Sequence, residues 1–149
     1  MLLTGCNEEC TGNRNTLPLA GFYNSAAPTQ KVRVDSLEVR GLGAPGDSIL
    51  STAQETKNEL YLPFRIDSDT TTYIFIKRGT QPERSSRVQF VYSRTPRFVS
   101  AECGVSYLYD IRKIECSGQL IDSVTCPAGF IDNAAMENIK VYFSSNTGQ

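Results

Sequence analysis

The 149-residue chain has no histidine. That removes the side chain used most often as a general base near neutral pH and found most often on a transition metal. Ser-His-Asp and Cys-His catalytic arrangements are therefore excluded. Net charge is nearly absent as well. Fifteen basic and sixteen acidic residues leave a formal charge of −1, which supplies no broad positive field for a nucleic-acid backbone. No apolar run reaches the length of about 18 residues that a transmembrane helix needs. No CxxC pair sets up a usual structural zinc site, so neither a metal nor another cofactor is expected. Gly41-Leu42-Gly43-Ala44-Pro45-Gly46 is glycine-rich, but Pro45 interrupts it, and it lacks the phosphate-loop lysine and a following amphipathic helix. It reads as a strand connection. No internal repeat, low-complexity tract or long linker divides the chain.

What is present begins with Leu3-Thr4-Gly5-Cys6. A short apolar run, two small residues and a cysteine form the pattern at which bacteria cut and lipidate an exported protein. The cleavage groove accepts only small side chains before the cut, and the freed cysteine carries the thiol that receives the lipid. An export signal normally has a basic stretch and a longer apolar run ahead of this point. Only Met1 and Leu2 precede it, so a truncated signal is expected. An ordinary apolar terminus is the competing reading. Residues 1–15 read as a lipobox remnant and polar tether, and 16–149 as one domain, a size that buries roughly two-thirds of its unfolded surface.

Five cysteines are an odd number, which leaves one thiol over in an oxidising compartment. Lipid on Cys6 resolves the oddity. Cys10, Cys103, Cys116 and Cys126 then allow three pairings, of which Cys10–Cys103 with Cys116–Cys126 is the preferred one. Loop closure would contribute about 4–5 kcal/mol for the long link and about 2.5–3 kcal/mol for the short one.

The remaining sequence alternates with a period of two. Leu17 to Tyr23 suggests a first strand, with Pro18 at its start or on an edge. Val32 and Val34 fall out of phase with Leu37 and Val39, so a bulge or bend is expected at Asp35-Ser36. Ile49-Leu50 begins a short strand. Leu60, Leu62, Phe64 and Ile66 line one face of a segment expected to form a hairpin with Thr70 to Lys77 across the turn Asp67-Ser68-Asp69. Val88, Phe90 and Tyr92 continue the pattern up to a break at Thr95-Pro96. Val105 to Leu108 and Ile111 to Cys116 are expected to pair as short strands. Leu120 to Val124 and Ile139 to Phe143 follow, with a helical turn near Asn133 to Glu137. The fold class is all-β: a two-sheet antiparallel β-sandwich, immunoglobulin-like or similar, with a small β-barrel as the alternative.

Tyr61 and Tyr73 lie opposite the most regular apolar stripes and form the candidate binding surface. Asp67, Asp69, Asp35 and Asp47 stand near turns, but lack the spacing and final glutamate of a calcium loop. No catalytic residue is assigned. Arg78, Arg84, Arg87, Arg94 and Arg97 occupy one third of the chain and read as solvated strand faces.

Several of these segments together resemble a known family. They are the pair Cys6 and Cys10, Pro-x-x-x-Phe-Tyr-Asn from Pro18 to Asn24, and Val34-Asp35-Ser36-Leu37. Leu60 to Phe64, Asp69-Thr70-Thr71, and Phe98-Val99-Ser100-Ala101-Glu102-Cys103-Gly104 complete the set. Over most of residues 6–143 the chain is similar to the DUF6452 family of uncharacterised Bacteroidetes lipoproteins. The resemblance implies an envelope location and supports pairing Cys10 with Cys103, whereas Cys116 and Cys126 stand as an addition to the family pattern. It implies no activity. The leading expectation is a lipid-anchored, non-enzymatic domain on the periplasmic or outer-membrane face that binds or organises an envelope protein or glycan. Contact with the membrane would come through the anchor only, and no nucleic-acid partner is expected. The alternatives are a carboxylate-dependent polysaccharide hydrolase, which needs two acids about 5–10 Å apart in a cleft, and a structural assembly subunit joined by sheet edges.

Overall fold

Strand-forming residues alternate inward and outward over almost the whole chain, and the computed structural model assembles them into two facing sheets. It describes residues 17–43, 49–52, 56–101, 104–132 and 136–144. One sheet contains β1 (Leu19–Asn24), β2 (Ala27–Lys31), β5 (Glu59–Tyr61), β9 (Ile121–Thr125) and β11 (Ile139–Phe143). Its path is β2-β1-β11-β9, and β5 pairs with the first half of β1. The other sheet holds β3 (Leu37–Leu42), β4 (Ile49–Ser51), β6 (Thr70–Lys77), β7 (Arg84–Ser100), β8 (Gly104–Gly118) and β10 (Phe130–Ile131) in the order β10-β8-β7-β6-β3-β4. Among the described residues no closed barrel forms. Among the described residues the strand pairs are antiparallel except β1 with β11, which run parallel from Ala20↔Ile139 to Asn24↔Phe143.

The core lies between the sheets. Ala20, Phe22, Ile139, Val141 and Phe143 point in from one side, and Val39, Tyr73, Phe75, Val88 and Phe90 from the other. Phe22 meets Phe143 edge-on with ring centroids 5.1 Å apart. At the opposite end Phe64 stacks on Tyr92 at 4.7 Å and contacts Phe90 at 5.0 Å and Tyr109 at 5.1 Å. Ser36 takes a positive φ of 54°, which supplies the bend expected from the phase shift there.

Three strand expectations are corrected. The segment from Leu60 does not form a hairpin with β6: Glu59–Tyr61 pairs with β1 in the facing sheet, and residues 62–66 cross between the sheets. Leu62, Phe64 and Tyr73 are all buried, and their apolar faces meet across the sandwich rather than side by side. Nor does the chain break at Thr95-Pro96. Pro96 pairs with Tyr107 in a stretch of β7 beyond Val91, the last β7 residue paired with β6. Among the described residues no strand pairs with that edge of β7, and proline is tolerated on such an edge. Residues 105–108 and 111–116 do not pair with each other; they are one strand, β8, paired along β7. The helical turn expected near Asn133 falls largely outside the described residues.

The disulfide expectation is also corrected. Cys116 and Cys126 are free thiols. Cys116 lies opposite Val88 in β8, close to the turn at Gly118, and its thiol donates to the Ile121 carbonyl at 3.5 Å. From that turn β9 runs the length of the facing sheet before Cys126 is reached. Five strand residues rise by about 17 Å, far more than the roughly 7 Å limit between bridgeable Cα atoms. Burial pushes both thiols up in pKa. Cys6, Cys10 and Cys103 lie outside the described residues.

Candidate functional site

Strand alternation that buries Ala20 and Phe22 turns Gly21 and Tyr23 to the outer face of the five-stranded sheet. The register sets Glu59 and Lys140 on either side of Gly21, and Lys31 and Tyr142 on either side of Tyr23. Glu137, just before β11, lies across this surface directly over Gly21. An ideal Cβ at Gly21 would fall inside contact distance of the Glu137 carboxylate, 2.6 Å from its Cδ. With glycine at this position the carboxylate lies directly against the backbone, and any side chain there would displace it. An isolated glycine between inward-facing apolar residues is the sequence signal for such an approach.

Around Glu137 the polar groups are joined. Tyr23 donates its hydroxyl to Oε2 at 2.7 Å, and Lys140 Nζ bonds the same oxygen at 2.9 Å and the tyrosine oxygen at 3.0 Å. Lys140 also stands 4.4 Å above the Tyr23 ring centroid, a cation–π contact. Lys31 Nζ bridges Glu59 at 2.8 Å and Glu137 at 3.2 Å. Burial pushes the Glu137 carboxyl up, but hydrogen bonds from Lys140, Tyr23 and Lys31 outweigh it and the net shift is downward. The Glu59 and Glu137 hydrogen bonds raise Lys31 against partial burial. Glu137 likewise raises Lys140.

Two shallow grooves flank the cluster. One, of about 360 Å³, runs along Leu19, Lys57, Asn58, Glu59 and Tyr61. The other, of about 350 Å³, is bounded by Phe130, Asp132, Met136, Glu137 and Lys140. Exposed Tyr61 and Met136 stand at the outer margins.

Residues 36–143 match the model of a family described as "Family of unknown function (DUF6452)". The chain belongs to DUF6452. No curated protein and no solved structure matches it. Within this DUF6452 chain the matched stretch supplies Glu59, Glu137 and Lys140, whereas Gly21, Tyr23 and Lys31 precede it.

Of the residues marked from sequence, Tyr61 is 53% exposed and lines the first groove. Tyr73 does not join it. It is 2% exposed in the core of the other sheet, and its hydroxyl donates to the Pro63 carbonyl. The alternation that assigned it outward had the phase of β6 reversed: Tyr73 and Phe75 face in, and Ile74 and Ile76 face out. Asp67 pairs with Arg65 at 3.1 Å, and Asp69 with Arg94 at 3.2 Å, so these two acids neutralise neighbouring arginines rather than facing each other across a cleft. Asp35 pairs with Lys77; Asp47 lies outside the described residues. Arg78 is held by Glu38 and Glu83 at 3.0 and 2.9 Å, which separates it electrostatically from the other arginines of that third. Among the described residues no three acidic or cysteine side chains converge as a metal site.

Proposed function

We propose that this DUF6452 chain is a Bacteroidetes-type lipoprotein of the bacterial cell envelope, anchored through lipid on Cys6. Its sandwich binds a protein or glycan partner without catalysing a reaction, on the periplasmic or outer-membrane face. The observation that carries the binding reading is the seating of Glu137 on Gly21, which locks five polar side chains into one bonded surface between two grooves. Groups already fixed by each other lose little freedom on docking. Exposed aromatic and methionine side chains at the margins are of the kind that anchor interfaces. The two acids of the cluster, Glu59 and Glu137, share Lys31. Glu137 is shifted down, whereas the general acid of a glycosidase needs an upward shift. That favours binding over hydrolysis.

Anchoring rests on Leu3-Thr4-Gly5-Cys6 and is tested by intact-mass analysis of protein expressed with its complete export signal. Cys6 is expected to be the first residue of the mature chain and to carry lipid, and Cys6→Ser is expected to move the protein into the soluble fraction. An unmodified Cys6 in membrane-associated protein would contradict the anchoring.

A further inference from the structure

Apart from Ile49 on the edge strand β4, the large apolar side chains exposed among the described residues collect toward one end. β7 and β8 run past their neighbours there: the last β7 residue paired with β6 is Val91, opposite Thr70, and β10 pairs with Tyr109 and Asp110 of β8. Beyond these points the two strands form a ribbon paired only with each other among the described residues. Phe98 and Val105 face each other across it and are 71% and 48% exposed. Leu17, Ile66, Phe130 and Met136 are exposed at the same end. Hydrogen bonds fix that placement. Leu62 N donates to the Pro18 carbonyl at 2.8 Å, Arg94 on the ribbon donates to the Ile66 carbonyl, and Asn138 N donates to the Leu19 carbonyl at 2.9 Å. Phe130 pairs with Asp110 at the base of the ribbon.

The chain coming from Cys6 enters the first sheet at this same end, through Leu17 and Pro18. The eleven residue steps from Cys6 to Leu17 span at most about 36–40 Å, so a lipid on Cys6 attaches to the domain at this end, which is the first part of the fold the tether brings to the bilayer. Arg97, next to Phe98, is exposed and has no ion-pair partner among the described residues. An apolar pair flanked by a cation suits the interfacial zone of a membrane, where rings enter the acyl boundary and guanidinium groups meet phosphates.

We propose that the end of the sandwich bearing the β7–β8 ribbon docks on the lipid surface, with Phe98 and Val105 entering the bilayer interface and Arg97 at the headgroups. The proposal rests on the anchoring reading for its biological setting. It adds an orientation: the molecule stands on its ribbon end, and the outer face carrying Tyr23, Glu137 and Lys140 stays clear of the membrane.

The chain has no tryptophan, so Phe98→Trp introduces a single indole at an exposed position that the fold tolerates. The probe is the full chain with Cys6→Ser and Phe98→Trp, mixed with phosphatidylethanolamine vesicles containing phosphatidylglycerol, with or without brominated acyl chains. Emission is expected to shift to the blue on vesicle addition and to be quenched at least twofold by the brominated lipid. An indole placed instead by Ser117→Trp, at an exposed position near the opposite end of β8, is expected to show neither effect. Phe98→Asp in the Cys6→Ser chain, with an unchanged circular dichroism spectrum, is expected to reduce vesicle co-sedimentation at least tenfold. An indole at position 98 that is neither shifted nor quenched overturns the proposal. So does a blue shift that grows with protein concentration without vesicles, because a second copy would then cover the patch. Lipid on native Cys6 with an unquenched indole would leave anchoring intact and remove docking; quenching with an unmodified native Cys6 would do the reverse.

Discussion

Phe64→Ala is expected to destabilise the protein by about 3–5 kcal/mol, the range for truncating a buried phenylalanine. The ring is 6% exposed and touches Phe90, Tyr92 and Tyr109 at centroid separations of 5.0, 4.7 and 5.1 Å. It lies on the segment that crosses from β5 to β6, so it joins the two sheets rather than packing within one. Its neighbours are bonded to the same crossing. Arg65 N donates to Thr71 Oγ1 at 2.9 Å, the Tyr92 hydroxyl donates to the Arg65 carbonyl at 2.7 Å, and Thr71 and Tyr92 share a 2.7 Å bond. Burial pushes the Tyr92 hydroxyl up and the Tyr109 hydroxyl up to about 12, so both remain protonated near neutral pH. Removing the ring leaves a cavity beside these bonds and weakens them together. A loss of this size lowers the melting temperature by about 10 °C in a chain of this length, and urea denaturation measures it directly. Phe64→Leu is expected to recover more than half of the loss. A cost below about 1 kcal/mol for Phe64→Ala would mean that the crossing segment does not join the sheets.

Gly118→Ala is expected to cost about 3 kcal/mol, from backbone strain and from crowding. The residue has a φ of 106°, where a side chain is strained by about 1–3 kcal/mol. A Cβ there would collide with the Ser85 carbonyl and stand 2.7 Å from Ser86 Cα, and backbone cannot swing aside as a flexible side chain can. The displaced serines do specific work. Ser85 O accepts Gln119 N at 2.9 Å, and Ser86 Oγ accepts Leu120 N and Ile121 N at 2.9 and 2.8 Å. These bonds dock the start of β9 onto β7, where the chain leaves one sheet for the other. Gly129→Ala is the comparison, since its φ is 71° but nothing lies within 4 Å of the added carbon. It is expected to cost about 1 kcal/mol. Equal costs for the two variants, read by urea denaturation, would show that crowding at Gly118 contributes nothing.

Local pattern located the strands better than it located their partners. Thr70 to Lys77 alternates β-branched and aromatic residues and is β6 throughout. The phase shift at Asp35-Ser36 marks the bend at Ser36. Pairing was less legible. Leu60 to Ile66 carries the same alternation as a hairpin arm, yet it divides between a three-residue strand and a crossing, because burial against both sheets is worth more than one continued ladder. Pro96 looked like a stop because the sequence does not show that, among the described residues, no strand pairs with that edge of β7. The candidate site was least legible. Gly21 and Tyr23, Lys31, Glu59, and Glu137 with Lys140 come from four separated segments and form no motif. They meet only because β1 pairs with β2, β5 and β11. Tyr61 faces outward on β5, whereas Tyr73 faces the core, because an aromatic stripe can belong to either face.

The central claim is that the outer face of the five-stranded sheet receives an envelope partner. It is tested most directly by placing a photo-crosslinking amino acid at Tyr61 in the anchored protein in cells, and at Gln89 as the comparison. Gln89 lies opposite Thr72 and Glu115 on the six-stranded sheet, away from the cluster. The account predicts one discrete adduct from position 61, abolished by Glu137→Ala in protein of normal abundance, and none from position 89. Equal adduct patterns from both positions, or an adduct from position 61 that persists without the Glu137 carboxylate, would contradict it.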